Sequence, residues 1–177
     1  MLFAIAFLSG LIPALFWLWF WLREDRENPE PYSLILIAFL GGMASVVATL
    51  PLQKFALDHF TGDNLIFAWV IIEEVLKYAA ALLVVLWHKA VDEPIDLIIY
   101  MIAIALGFSA LENALFVFNP LMQGEYASSA LTGLFRFLGA TLLHVLASGT
   151  VGAFLAMAYY KSRLARNLAG MLGLGVA

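Results

Sequence analysis

The sequence predicts an all-α, polytopic transmembrane helix bundle of about five spanning helices, on three observations. Hydrophobic residues make up 64% of the 177 residues and charged residues only 12%, against roughly 45–50% and 25% in soluble domains. The apolar residues fall into runs of about 20, the length that crosses a hydrocarbon core. Short polar joints separate these runs and leave no stretch for a water-soluble domain, so residues 1–177 read as a single membrane-embedded domain. The formal net charge of −4, with no basic stripe, argues against nucleic acid as a partner. The absence of cysteine removes disulfides and thiolate metal sites.

The first apolar run, 1–22, has an uncharged start and an end crowded with Phe16, Trp17, Trp19, Phe20 and Trp21. It reads as a retained helix with an aromatic interfacial end rather than a cleaved signal peptide. Arg23-Glu24-Asp25-Arg26-Glu27 and the turn Asn28-Pro29-Glu30-Pro31-Tyr32 follow, the prolines excluding helix there. A second helix is expected over 33–50 with a small-residue face of Gly41, Gly42, Ala44 and Ser45, ended by Pro51. The joint 53–64 holds Lys54, Asp58, His59 and Asp63. A third helix is expected over 65–87, followed by the acidic joint Asp92-Glu93-Pro94-Ile95-Asp96. A fourth runs to about Phe118, stopped at Asn119-Pro120, and a fifth over 130–160 is closed by Lys161, Arg163 and Arg166. Arg23, Arg26, Lys89 and those three cations lie in alternate joints, against Lys54 alone in the others. The positive-inside rule then places the N-terminus outside and the C-terminus inside a prokaryotic cell (inner) membrane.

Ionisable residues inside the expected spans are few: Glu73, Glu74 and Lys77 in the third, Glu112 in the fourth, Arg136 and His144 in the fifth. An ionised residue at the centre of a membrane helix costs roughly 3 kcal/mol on insertion scales, so each needs a partner and marks a functional site by default. At 1.5 Å per residue, Glu73 lies about 13 Å from the outer end of its helix, Glu112 and Arg136 about 9 Å, and His144 about 20 Å, so all can share one layer in the outer half. Glu73 and Lys77 share a helix face, as do Phe108, Glu112 and Phe116. Arg136, Ala140, His144, Ser148 and Gly152 recur every four residues as a polar stripe, and Gly133, Gly139, Gly149 and Gly152 permit close helix approach.

In a dry site these groups are suited to hydrolysis. A glutamate beside a bound water is a general base. Glu112 and His144 can ligate a divalent metal such as zinc that acidifies the water, or hold the water without any metal. Arg136 or Lys77 can stabilise an oxyanion. Singly, each residue has a bland alternative: Glu73 with Lys77, or Glu112 with Arg136, as a packing ion pair; His144 as a hydrogen-bonded core histidine; Ser148 as a packing hydroxyl. Coincidence across three helices at one depth favours the functional reading.

Glu73-Glu74-x-x-Lys77, then Phe108-x-x-x-Glu112-Asn113, then His144-x-x-x-Ser148 resembles the motif set of the PrsW-type intramembrane proteases, relatives of the CAAX prenyl proteases. Pro29-Glu30-Pro31 and the run from Asp92-Glu93-Pro94-x-Asp96 through Tyr100 to Gly107-Phe108-Ser109-Ala110-Leu111-Glu112-Asn113 look similar to the same pattern. The resemblance implies an endopeptidase that cuts single-pass membrane proteins, such as an anti-sigma factor, within or beside the membrane segment. It implies Glu73 as water activator with Glu74 its partner, either with a metal or as a glutamate-dependent hydrolase. The family pattern ends in a further helix with a second His motif, whereas no histidine follows His144 here and the apolar stretch 168–177 is about 15 Å of helix, too short to span. The family's final helices are therefore expected to be missing. Rival readings of the same residues are a proton- or ion-coupled transporter and a non-catalytic scaffold that binds membrane segments.

Overall fold

The computed structural model describes residues 1–23 and 28–177; Glu24 to Glu27, and with them the cation at Arg26, lie outside the described residues. It is helical throughout, with no strand among the described residues: α1 Leu2–Leu22, α2 Tyr32–His59, α3 Asp63–Val84, α4 Pro94–Met122, α5 Tyr126–Phe135, a π-helical segment Arg136–Ala140, α6 Thr141–Met157 and α7 Arg163–Val176. By length and composition α1, α2, α4 and the continuous run Tyr126–Met157 are each able to cross a membrane. α3, with 22 residues, has the length of a fifth span, roughly 33 Å, but carries Glu73, Glu74 and Lys77 at its middle. The chain is a multi-pass membrane protein.

Cross-helix contacts fix the directions. The rings of Phe3 and Phe118 meet at 5.8 Å, so α1 runs against α4. Tyr100 bonds Glu30, placing the starts of α2 and α4 at the same end. Gln53 meets Glu73 across α2 and α3, and Ser129 bonds the Val117 carbonyl across α5 and α4. Asn28 Nδ2 lies 3.2 Å from Glu93 Oε1, and Tyr159 donates to the Val91 carbonyl at 3.1 Å. The joints around Asn28, Val91 and Tyr159 therefore gather at one end, with Arg23, Lys89, Lys161, Arg163 and Arg166, while Lys54 lies toward the other.

α4 is the centre of the bundle. Leu97, Tyr100, Met101, Ala103, Ile104, Ala105, Leu106 and Phe108 are fully buried, surrounded by α1, α2 and α6. Lipid tails are as apolar as these side chains, so the association depends on close van der Waals packing. The tightest contact is reciprocal: a Cβ on Gly42 would lie 2.0 Å from the Ile104 carbonyl oxygen, and one on Gly107 would lie 1.9 Å from that of Phe39. Only glycine lets the α2 and α4 backbones touch there. Of the small residues expected to face a neighbour, Gly41 faces α3 instead, and Gly152 abuts the α4 backbone at Leu97 and Ile98, whereas Gly139 meets nothing.

Several helix boundaries differ from expectation: α3 ends at Val84 rather than at 87, and α4 runs through Asn119-Pro120 to Met122. α2 does not stop at Pro51 but continues to His59. A proline removes one backbone hydrogen bond, yet breaking the helix would expose several polar groups to lipid, so continuation wins. The fifth span begins at Tyr126 and contains the π segment before α6. The chain then folds back: α7 packs antiparallel on α6, with Gly170 against the Tyr78 ring and Gly173 against Val151. Its 14 residues, roughly 21 Å, bring Ala177 into the wall of a cleft with Glu73 and His144.

Candidate active site

The ionisable side chains of α3, α4 and the π–α6 run form one connected network. On α3, Lys77 is fully buried and pairs with Glu74, one helical turn away, rather than with Glu73. The other Glu74 oxygen accepts the Ser148 hydroxyl at 3.1 Å. Lys77 Nζ also lies 3.0 Å from His144 Nδ1 and 4.8 Å from the centre of the Phe108 ring, which itself meets the His144 ring edge-on at 5.2 Å. Phe108 is thus the apolar floor under both groups.

His144 Nε2 lies 3.1 Å from Glu112 Oε2. Arg136 pairs with the same oxygen through Nη2, donates through Nε to Asn113 Oδ1 at 2.6 Å, and stacks over Phe116 at 3.9 Å. Asn113 in turn donates to Ser109 and Thr141, whose hydroxyls lie 2.9 Å apart. Two of the three guanidinium nitrogens, Nε and Nη2, are therefore held by α4 side chains. The π turn beneath it spends one residue more per turn than an α-helix, and Thr141 closes it by bonding the Arg136 carbonyl at 3.0 Å.

Glu73 stands apart from both ion pairs. Its hydrogen-bond partner among the described residues is Gln53, whose amide donates to Oε1 at 2.7 Å, while Trp69 Nε1 donates to the Gln53 backbone carbonyl at 3.2 Å. Two clefts of about 350 Å³ each open beside this carboxylate. One lies between α2, α3 and α4 and is lined by Thr49, Gln53, Trp69 and Phe116; the other lies between α3, α4 and α6 and is lined by Arg136, His144 and Ala147. Glu73 and Glu112 belong to both walls. A larger apolar groove of about 460 Å³ between α1, α4 and α5 lies away from this chemistry.

One ligand atom each from Glu73, Glu112 and His144 lie within 4.8 Å of one another. Two carboxylates and an imidazole are a donor set that holds zinc and leaves a position open. The charge balance points the same way: three carboxylates face the two cations Lys77 and Arg136, an excess that a divalent cation would offset. The residues fit a metal, with Glu73 added to the expected pair Glu112 and His144.

All nine residues singled out from sequence, Glu73, Glu74, Lys77, Phe108, Glu112, Asn113, Arg136, His144 and Ser148, lie in this one layer. Gln53, Trp69, Ser109 and Thr141 were not anticipated. Gln53 lies beyond Pro51, where residue type predicts a joint rather than helix. Ser109 and Thr141 carry no charge and look like ordinary packing hydroxyls, although Ser109 lies in the Gly107–Asn113 run.

Fold and site together define a multi-pass membrane protein whose helices enclose an acid, base and cation cluster of the kind hydrolases use. The family described as PrsW family intramembrane metalloprotease matches residues 30–177, and the chain belongs to that family. Relatives include Protease PrsW of Geobacillus kaustophilus (strain HTA426), 26% identical over 162 residues that cover 89% of this chain and 68% of the relative. Protease PrsW of Bacillus subtilis (strain 168) is 25% identical over 162 residues, covering 89% and 71%. That of Clostridioides difficile (strain 630) is 30% identical over 159 residues, covering 85% and 64%. The chain thus spans about two thirds of the length of these relatives. No solved structure matches it.

Proposed function

We propose that this chain is an intramembrane endopeptidase that hydrolyses a peptide bond in or near the membrane segment of a single-pass protein, such as an anti-sigma factor. The observation that carries the reading is the convergence of Glu73, Glu112 and His144 within 4.8 Å, from three separate helices, beside clefts large enough for a peptide backbone. The gathering of Arg23, Lys89, Lys161, Arg163 and Arg166 at one end of the bundle supports placing that end in the cytoplasm of a prokaryotic cell membrane, with the site in the outer half of the bilayer.

On a metal-dependent route Glu73, Glu112 and His144 would hold a zinc ion, which would supply an acidified water and a polarised carbonyl, and Glu73 would then be a ligand rather than the base. The protein's own groups divide the remaining tasks. Glu74 is committed to Lys77 and Ser148, and Glu112 to Arg136 and His144, which leaves Glu73 as the site carboxylate without an ion-paired cation among the described residues. On the glutamate-only route Glu73 takes a proton from water as the water oxygen bonds the scissile carbonyl carbon, and returns it to the amine nitrogen as the C–N bond breaks. Arg136, in the cleft wall, faces the charge that develops on the carbonyl oxygen. Lys77 is too deeply buried to touch substrate and acts by holding Glu74 and the His144 ring.

The test is cleavage of a tagged single-pass reporter in cells that express the chain. Wild type should cut, and Glu73→Gln should lose at least about a thousandfold in rate while remaining inserted and folded. Retained cleavage in Glu73→Gln sinks the assignment. Loss of cleavage in a strong chelator, restored by zinc, would establish metal dependence, whereas indifference to the chelator would favour the glutamate-only route.

A further inference from the structure

We infer that Gln53 is a positioning residue for Glu73, an inference that rests on the peptidase reading of the same site. Its side chain donates to Glu73 Oε1 at 2.7 Å and is the partner that fixes this carboxylate among the described residues. The amide holds one oxygen and leaves the other to face water, substrate or a cation.

The arrangement is built from more than one contact. Gln53 sits on the part of α2 that continues past Pro51, so the helix path itself delivers it to the level of Glu73. Trp69, one turn before Glu73 on α3, donates to the Gln53 backbone carbonyl at 3.2 Å and ties α2 to α3 at that point. Gln53 and Trp69 also line the cleft on the α2 side of Glu73, away from Arg136 and His144. Glu73 is therefore approached by a neutral donor from one side and by the remaining catalytic groups from the other. A neutral donor suits this role, because a lysine or arginine at position 53 would neutralise the one site carboxylate that has no ion-paired cation among the described residues.

Partners that orient a ligand or base carboxylate typically contribute tenfold to a hundredfold. Gln53→Leu, which removes the donor at similar volume, should lower kcat about tenfold or more and leave KM within about twofold. Gln53→Glu, which keeps shape and polarity but replaces the donor with an acceptor, should lose as much, and covers the case in which Gln53→Leu fails to fold. An unchanged kcat in the folded variants, or an effect confined to KM, overturns the inference.

A second measurement needs no activity. Unfolding midpoints of wild type, Gln53→Leu, Glu73→Leu and the double variant in detergent should be non-additive, the double variant losing less than the two single changes together. If the wild type cuts no reporter while inserted, the peptidase reading fails and the pairing is judged on this cycle alone. Strict additivity overturns the pairing.

Discussion

α3 and α4 lie side by side in the same bundle and bury opposite kinds of surface. From Leu97 to Ala110, α4 is enclosed on all sides, and nearly everything it buries there is apolar. α3 hides Glu74, Lys77, Tyr78 and Ala81 and turns Ile66, Phe67, Val70, Ile71, Val75 and Leu83 outward. In water such a helix would be inside out. In a bilayer the outer face costs nothing when it is apolar, and burial is reserved for groups that lipid cannot solvate. The pair shows that two different forces assemble the protein: backbone contact without voids around α4, and satisfaction of charge along α3.

Substitutions can separate these two forces. The largest effect should come from α4: Gly107→Leu places carbon where the Phe39 carbonyl lies, so no folded, monodisperse protein should survive detergent extraction and size-exclusion chromatography. On α3, Lys77→Met leaves Glu74 buried without its cation and should cost about 3–5 kcal/mol in chemical unfolding. Adding Glu74→Gln should restore most of that stability but not cleavage, which would show that the pair serves the site rather than the fold. Arg136→Lys keeps the charge but cannot engage Glu112 and Asn113 together; cleavage should fall about tenfold or more with a stability loss near 1 kcal/mol. The smallest effect belongs to the lipid side of α3, where Ile71→Leu should change the unfolding free energy by less than about 0.5 kcal/mol. A large effect there would mean that this face is covered by another protein surface.

The contrast also explains what sequence could reveal. A charge inside an apolar run is so unfavourable that Glu73, Glu74, Lys77, Glu112, Arg136 and His144 announce themselves, and their depths along each helix already placed them in one layer. Their pairing was less legible. Glu73 and Glu74 both lie within reach of Lys77 by helical spacing, and only the position of Ser148 and Gln53 on neighbouring helices decides that Lys77 goes to Glu74. Pro51 is a helix breaker by its local chemistry, and the opposing demand of the bilayer is a property of the surroundings that residue type does not carry. The error there hid Gln53. The π turn at Arg136–Ala140 has no composition of its own; it lies where Arg136 meets Glu112 and Asn113 and Thr141 bonds the Arg136 carbonyl. The centrality of α4 was also hidden, since its buried residues look no different from the lipid-facing ones of α1.

The burial of Lys77 gives the protein an internal reporter of its own integrity. Of the four lysines, Lys54, Lys89 and Lys161 are exposed while Lys77 is shut off from solvent. An amine-acylating reagent applied to the intact protein will therefore mark three of the lysines and spare the fourth. Acylation at Lys77 would record the moment at which α3 leaves α6 and the buried charges meet water, and its rate would measure how often the site opens.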